Sequence, residues 1–193
     1  MMPLEQLDEQ PKQFPDCCVG LSKPLVTTLV DRLPSGQALI LSIGCGSGLL
    51  EQCMLQASGQ TLNVYGVEVP DCRMVHLRPD RVLRVPDTRA LHPDAMLASV
   101  LMFVYPRMPE LIASYVEAFK DGALEQVVWL GHRSDWPDGN EVLQKGFDSV
   151  EIIESPGLAP YEILAIASMA RFDRSAKTLI SSGDPTLPGP FNG

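Results

Sequence analysis

Residues 38–51 read Ala38-Leu39-Ile40-Leu41-Ser42-Ile43-Gly44-Cys45-Gly46-Ser47-Gly48-Leu49-Leu50-Glu51. A short apolar run that meets a glycine turn and then resumes with helix formers predicts a buried strand feeding a helix. The alternating glycines at 44, 46 and 48 allow a sharp bend and let a ligand come close to the main chain. A second strand follows at Leu62–Val69 and delivers one carboxylate, Glu68. A glycine turn after one strand, with an acid on the next, is the layout of a nucleoside-binding crevice.

The spacing narrows the ligand. A dinucleotide fingerprint places its third glycine three residues after the second, and that position here is Leu49. No Lys-Ser or Lys-Thr pair follows the loop, which excludes a P-loop. The arrangement resembles the first motif of class I S-adenosylmethionine-dependent methyltransferases, with Glu68 in the place of their second-strand acid. The resemblance runs from about Leu25 to Arg171. It implies an α/β fold: a Rossmann-like three-layer sandwich around a mostly parallel seven-stranded sheet of order 3-2-1-4-5-7-6, strand 7 antiparallel, with helices on both faces.

The same resemblance implies S-adenosyl-L-methionine as cofactor, S-adenosyl-L-homocysteine as product, and no metal. It assigns cofactor contacts to Ser42, Gly44, Cys45, Gly46, Gly48, Glu68, Asp87 and Thr88. The glycine loop packs on the methionine part, and Glu68 accepts hydrogen bonds from both ribose hydroxyls. Asp87 stands where the family often sets an acid against the adenine amine, although a loop cap is an equal reading. Two departures stand out. Ser42 occupies a position where the family commonly has an acid. Tyr105-Pro106-Arg107 after strand 4 is not the Asp/Asn-Pro-Pro-aromatic signature of enzymes that methylate amide or exocyclic amino nitrogens.

The remaining strands are expected at Arg81–Val85, Val100–Tyr105, Gln126–Leu130, Gly146–Ile153 and Tyr161–Ser168. Helices are expected at Pro24–Leu33, Gly48–Ala57, Met108–Phe119 and, briefly, Glu141–Lys145. Three regions result: an irregular N-terminal segment at 1–20 with Phe14 and Val19 as anchors, a methyltransferase-like domain at 21–174, and a flexible tail at 175–193 rich in Ser, Gly and Pro.

At 193 residues the chain suits one domain with a sizeable core. Its apolar content of 45% is that of a globular protein, and no run is long enough to span a membrane. The five cysteines lack paired C-x-x-C spacing, which fits reduced thiols and a cytoplasmic protein without zinc. A net charge of −9 lacks the broad positive field of nucleic-acid binders. The expected partner is therefore a small-molecule acceptor, with neither nucleic acid nor membrane. The local run Arg73, Arg78, Arg81, Arg84 and Arg89 reads as a solvated face, with a patch for an anionic substrate as the alternative, and His76 and His92 read as surface groups.

Methyl transfer is an in-line displacement in which alignment alone can supply effective molarities of about 10⁵ M. A general base adds roughly 10²-fold for a protonated acceptor. His132 is the candidate base, against the plainer reading of a loop histidine bonded to Asp135. Tyr105, Arg107 and Trp136 are the candidate acceptor-binding residues: an aromatic liner, a carboxylate partner and a pocket wall. The Pro137-Asp138-Gly139 loop, the N-terminal segment or a second copy would then cover the site, with Met108–Phe119 as a pairing helix of a homodimer. The leading reading is a methyltransferase acting on an oxygen or amine nitrogen. The alternative is a catalytically inactive binding or regulatory protein of the same fold. A nicotinamide-dependent oxidoreductase is disfavoured by Leu49.

Overall fold

The computed structural model describes residues 4–170, so the expected tail at 175–193 lies outside the described residues. The elements are β1 (Lys12–Phe14), β2 (Cys17–Leu21), α1 (Lys23–Arg32), β3 (Leu39–Ile43), α2 (Leu49–Ala57), β4 (Asn63–Glu68), β5 (Val82–Arg84), β6 (Ala98–Val104), α3 (Pro109–Phe119), β7 (Gln126–His132), α4 (Trp136–Gly146), β8 (Ser149–Ile153) and β9 (Glu162–Ser168). Seven strands form one sheet in the order β5-β4-β3-β6-β7-β9-β8. Counted from β3, this is the expected order 3-2-1-4-5-7-6. The strands run parallel except β9, which is antiparallel to β7 and β8.

Strand alternation builds two cores, one on each side of the sheet. Ile40, Val64, Val100, Met102, Val128 and Leu130 face α1 and α2. Leu41, Val67, Leu101, Phe103, Val127 and Trp129 face α3 and α4. The central strands β3, β6 and β7 are buried on both faces, which is why they read as continuous apolar runs.

Helix starts follow from their caps. Ser22 accepts the Leu25 N–H at 3.2 Å ahead of α1, and Pro24 sits in the first turn where its missing donor is harmless. α2 opens instead on Gly48, and its residues Leu49 to Leu55 are all buried. That burial comes from cover on several sides. α1 lies beside α2, and the loop at 70–78 crosses its start, with the Val75 and His76 N–H groups donating to Ser47 O at 3.1 and 3.0 Å.

The crossovers from β4 to β5 and from β5 to β6 carry no α-helix, only short turns at Pro79–Arg81 and Pro93–Leu97. Such a connection leaves backbone carbonyls to be satisfied by side chains. Arg84 donates to Val69 O at 2.6 Å and Cys72 O at 3.3 Å, and Arg81 donates to Val64 O at 3.1 Å while stacking over Tyr65. Part of the expected solvated basic face is thus structural. His76 and His92, expected at the surface, expose only 12% and 14% of their side chains. His76 pairs with Asp16 at 2.6 Å, and His92 Nδ1 caps the turn at Asp94 N–H.

Two further expectations are corrected. The N-terminal segment expected to be irregular carries regular structure within its described residues 4–20: β1 and β2 form a hairpin that buries Val19 and Leu21, with Leu7 buried ahead of it. The short helix at 141–145 is an eleven-residue helix beginning at Trp136. Pro137-Asp138-Gly139 is its first turn, not a covering loop. Proline is tolerated there, and Gly139 is set by packing, since a Cβ would stand 2.7 Å from the Trp129 indole nitrogen.

Candidate functional site

The turn after β3 takes the shape its glycines permit. Gly44, Gly46 and Gly48 all lie in the left-handed region, at φ of 72°, 58° and 79°. A non-glycine residue is strained there. The roles differ along the loop. A Cβ on Gly44 or Gly46 would meet nothing within 4 Å, so open space lies over both. A Cβ on Gly48 would stand 2.7 Å from Leu77 Cγ and 2.8 Å from Met74 Sδ, so that glycine serves the packing of the 70–78 loop.

Glu68, the last residue of β4, meets this turn directly. Its Oε2 accepts the Gly46 N–H at 2.9 Å, and its Oε1 accepts the Val69 N–H at 2.8 Å. β4 and β3 are parallel neighbours in register, with Ser42 opposite Gly66 and Ile43 opposite Val67. The turn is also tied to β4 by the Gly44 N–H on Val67 O at 2.9 Å. The acid and the bend expected to act together are hydrogen-bonded to each other. They lie where the winding reverses between β3 and β6, at the carboxyl ends of the strands, the customary ligand crevice of such sheets.

The donor set fits an adenosyl cofactor. Each Glu68 oxygen accepts one backbone donor and retains a lone pair for a ribose hydroxyl. Open space over Gly44 and Gly46 leaves room beside it. Cys45 turns its thiol away, against Gly66, and burial pushes that thiol far above its usual range. It fills space and is no nucleophile at neutral pH.

Ser42 is fully buried and does not face the open space. Its hydroxyl donates to Glu51 Oε1 at 2.5 Å. Glu51, in the first turn of α2, is 1% exposed, and its other oxygen is buried without a partner among the described residues. Burial pushes its carboxyl up to about 7, assisted by the nearby negative charge of Glu68 and opposed by the Ser42 hydrogen bond. Asp87 Oδ1 caps its own loop, accepting the Arg89 and Ala90 N–H groups at 2.8 and 3.0 Å. Thr88 is exposed beside it.

Beyond β6 and β7 the candidate acceptor residues separate. Tyr105 has a φ of +50°, a strained value for a non-glycine residue. It is held by its N–H on Leu130 O at 2.7 Å and its hydroxyl on Glu162 Oε1 at 2.8 Å. Burial and the Glu162 carboxylate push the Tyr105 phenol far up, so it stays protonated. Glu162 is 2% exposed and also accepts the N–H groups of Gly20 and Ala159. It ties the N-terminal hairpin, the end of β6 and the β8–β9 loop to one carboxylate.

His132 is the last residue of β7, opposite Glu162 on β9. Its ring stacks on Tyr161 at 5.6 Å. Nδ1 accepts the Ser134 N–H at 3.1 Å, and Ser134 Oγ passes the contact on to Asp135 at 2.9 Å. The link to Asp135 is therefore indirect. Among the described residues Nε2 has no partner. Trp136 packs on Trp129 at 5.0 Å between ring centres. Arg107 lines a cavity of about 290 Å³ with Pro106, Trp129, Asp135, Asp138 and Gly139, between the first turns of α3 and α4. Among the described residues no cluster of three or more His, Cys, Asp or Glu side chains could hold a metal.

Sequence reasoning missed Glu51 and Glu162. Glu51 carried a faint signal, an acid in an otherwise apolar helix turn. Glu162 carried none, because two of its three partners, Tyr105 and Gly20, lie 57 and 142 positions away.

No family model and no curated protein matches the chain. Solved structures do. It is similar to the S-adenosylmethionine-dependent methyltransferase SibL in its apo form, with a TM-score of 0.58 and 16% identity over 77% of this chain. The match spans 54% of that protein, about half its length. It is similar to precorrin-6y C5,15-methyltransferase from Geobacter metallireducens, with a TM-score of 0.54, 16% identity, and coverage of 77% of this chain and 87% of that one. It is also similar to an S-adenosylmethionine-dependent methyltransferase from Aquifex aeolicus, with a TM-score of 0.53, 14% identity, and coverage of 75% and 88%. The fold is the Rossmann-like fold of class I methyltransferases.

Proposed function

We propose that this chain is an S-adenosylmethionine-dependent methyltransferase that delivers its methyl group to an oxygen or amine nitrogen of a small-molecule acceptor. The observation that carries the reading is the hydrogen bond from the Gly46 N–H to Glu68, set in a turn of three left-handed glycines with open space above two of them. When bound, the cofactor supplies an electrophilic methyl on a cationic sulfur. The residues of the chain bind and orient. Glu68 takes the ribose hydroxyls, and the backbone of Gly44 to Gly48 backs the methionine end. Asp87, through the oxygen not used in its cap, takes the adenine amine.

For the acceptor, His132 offers an imidazole steadied by stacking and by Ser134, with Nε2 free to receive a proton. By alternation along β7 it shares the α1–α2 face with Val128 and Leu130, the face Glu68 takes on β4 with Val64. The cavity beside Arg107 is lined by Ile112 and Trp129 and so belongs to the other, α3–α4 face of the sheet.

Calorimetric titration with S-adenosylmethionine and S-adenosylhomocysteine tests the cofactor, and a panel of hydroxyl and amine acceptors tests turnover. Absence of binding at about millimolar cofactor rejects the reading. The second reading, an inactive binding protein of this fold, is favoured by one observation: the Tyr105 hydroxyl is committed to Glu162. Tight cofactor binding without turnover on any acceptor would select it.

A further inference from the structure

Glu51 is a buried carboxyl that the reading above does not use. One oxygen accepts the Ser42 hydroxyl, and the other is buried with no partner among the described residues. Among the described residues, the charged group that acts on it is the acid Glu68, and none is positive. Cys17 on β2, Cys45 in the glycine turn, Cys53 on α2 and Glu68 at the end of β4 interact with it electrostatically. α1 turns Leu25, Val26 and Leu29 inward. In the loop that covers the start of α2, Arg73 is exposed and His76 is turned to Asp16. Among the described residues, an ionised Glu51 is helped by the Ser42 hydroxyl and by the first turn of α2, whose free N–H groups favour an anion, but by no opposite charge.

A buried carboxylate without a counter-ion is costly, and a cation brought from outside lowers that cost. Glu51 lies in the first turn of the helix that the glycine bend opens, within electrostatic reach of the Glu68 that would hold the ribose. We propose that Glu51 is the charge-sensing residue of the cofactor site: a cationic ligand seated on Gly44–Gly48 is coupled to loss of the Glu51 proton. This rests on the cofactor reading above.

The coupling has a direction. Glu51 gives its proton to solvent when a sulfonium arrives, and takes one back from solvent when the sulfur has become a neutral thioether. Linkage is reciprocal, so the deprotonated protein prefers the sulfonium form and the protonated protein discriminates less. Glu51 thus sets a preference for cofactor over product that grows as pH rises through neutrality.

The test is calorimetric titration of wild type and Glu51→Gln with S-adenosylmethionine and with S-adenosylhomocysteine, at about pH 6 and about pH 8 and in buffers of different ionisation enthalpy. Wild type is expected to gain about fivefold more affinity for S-adenosylmethionine across that range than Glu51→Gln, with proton release that the variant lacks. The gain for S-adenosylhomocysteine is expected to be smaller. Parallel pH profiles for wild type and variant, or equal gains for the two ligands, overturn the proposal and leave the cofactor reading standing. No binding by wild type at either pH overturns both. If Glu51→Gln does not fold, infrared difference spectra of wild type decide. Loss of a protonated-carboxyl band on adding S-adenosylmethionine near pH 6.5 supports the proposal, and an unchanged band rejects it.

Discussion

Glu68 and Glu51 flank the same glycine turn, one at the end of β4 and one in the first turn of α2, and their surroundings differ. Glu68 accepts two backbone donors and is half-buried. Replacing it by Ala removes charge-assisted bonds to the ligand, and calorimetry should find cofactor affinity weakened by about 1–3 kcal/mol. An unchanged affinity would remove Glu68 from the site. Glu51 raises a question of stability. Its carboxyl rises from 4.5 to about 7 on folding. A raised carboxyl contributes fully below the unfolded value, and that contribution is lost as pH climbs through the folded value. Ionising it in the ligand-free protein therefore costs on the order of 3 kcal/mol by about pH 8. Glu51→Gln should melt higher than wild type at about pH 8 and lose that advantage at about pH 5. Melting curves that differ equally at both values would contradict the assignment.

At the scale of the elements, the glycine turn makes two separable predictions. Gly48→Ala places a methyl against Leu77 and Met74 at a left-handed φ. Thermal denaturation should find it destabilised by about 1–3 kcal/mol. Gly46→Ala meets open space, so its strain should cost about 1 kcal/mol while the methyl intrudes where the cofactor lies. Its signature is a larger loss in cofactor binding than in stability, the reverse of Gly48→Ala. The same element explains what could be read in advance. β3, β4, β6 and β7 carry local apolar runs between clear turn signals, so their existence followed from the chain, while their order in the sheet came from the family resemblance alone. α4 did not, because Pro137 and Gly139 look like breakers in one dimension. Only the Trp129 indole, brought over from β7, reveals Gly139 as a packing requirement. Gly139→Ala should accordingly cost about 1–3 kcal/mol in a melt, despite the better helix propensity of alanine.

Across the whole molecule, the N-terminal hairpin and the helix-free crossovers are where sequence reading ran out. Three-residue strands leave no period to detect, and the hairpin is fixed by distant partners. Gly20 bonds Glu162, Ser47 bonds Asp16 O at 2.9 Å, and Asp16 meets His76. The cofactor half of the site was legible, because Gly44 to Gly48 and Glu68 are set by two adjacent strands. The acceptor half was not, since Tyr105, Glu162 and Gly20 meet only after the sheet is assembled. The same asymmetry makes cofactor binding the firmest test. Titration of the whole chain with S-adenosylhomocysteine, followed calorimetrically beside Glu68→Ala, bears most directly on the cradle between residues 44 and 68. The account predicts saturable one-to-one binding with a Kd in the micromolar range, weakened tenfold or more (about 1.4 kcal/mol or more) in the variant. No heat of binding at about millimolar ligand, or equal affinity in both proteins, would contradict it.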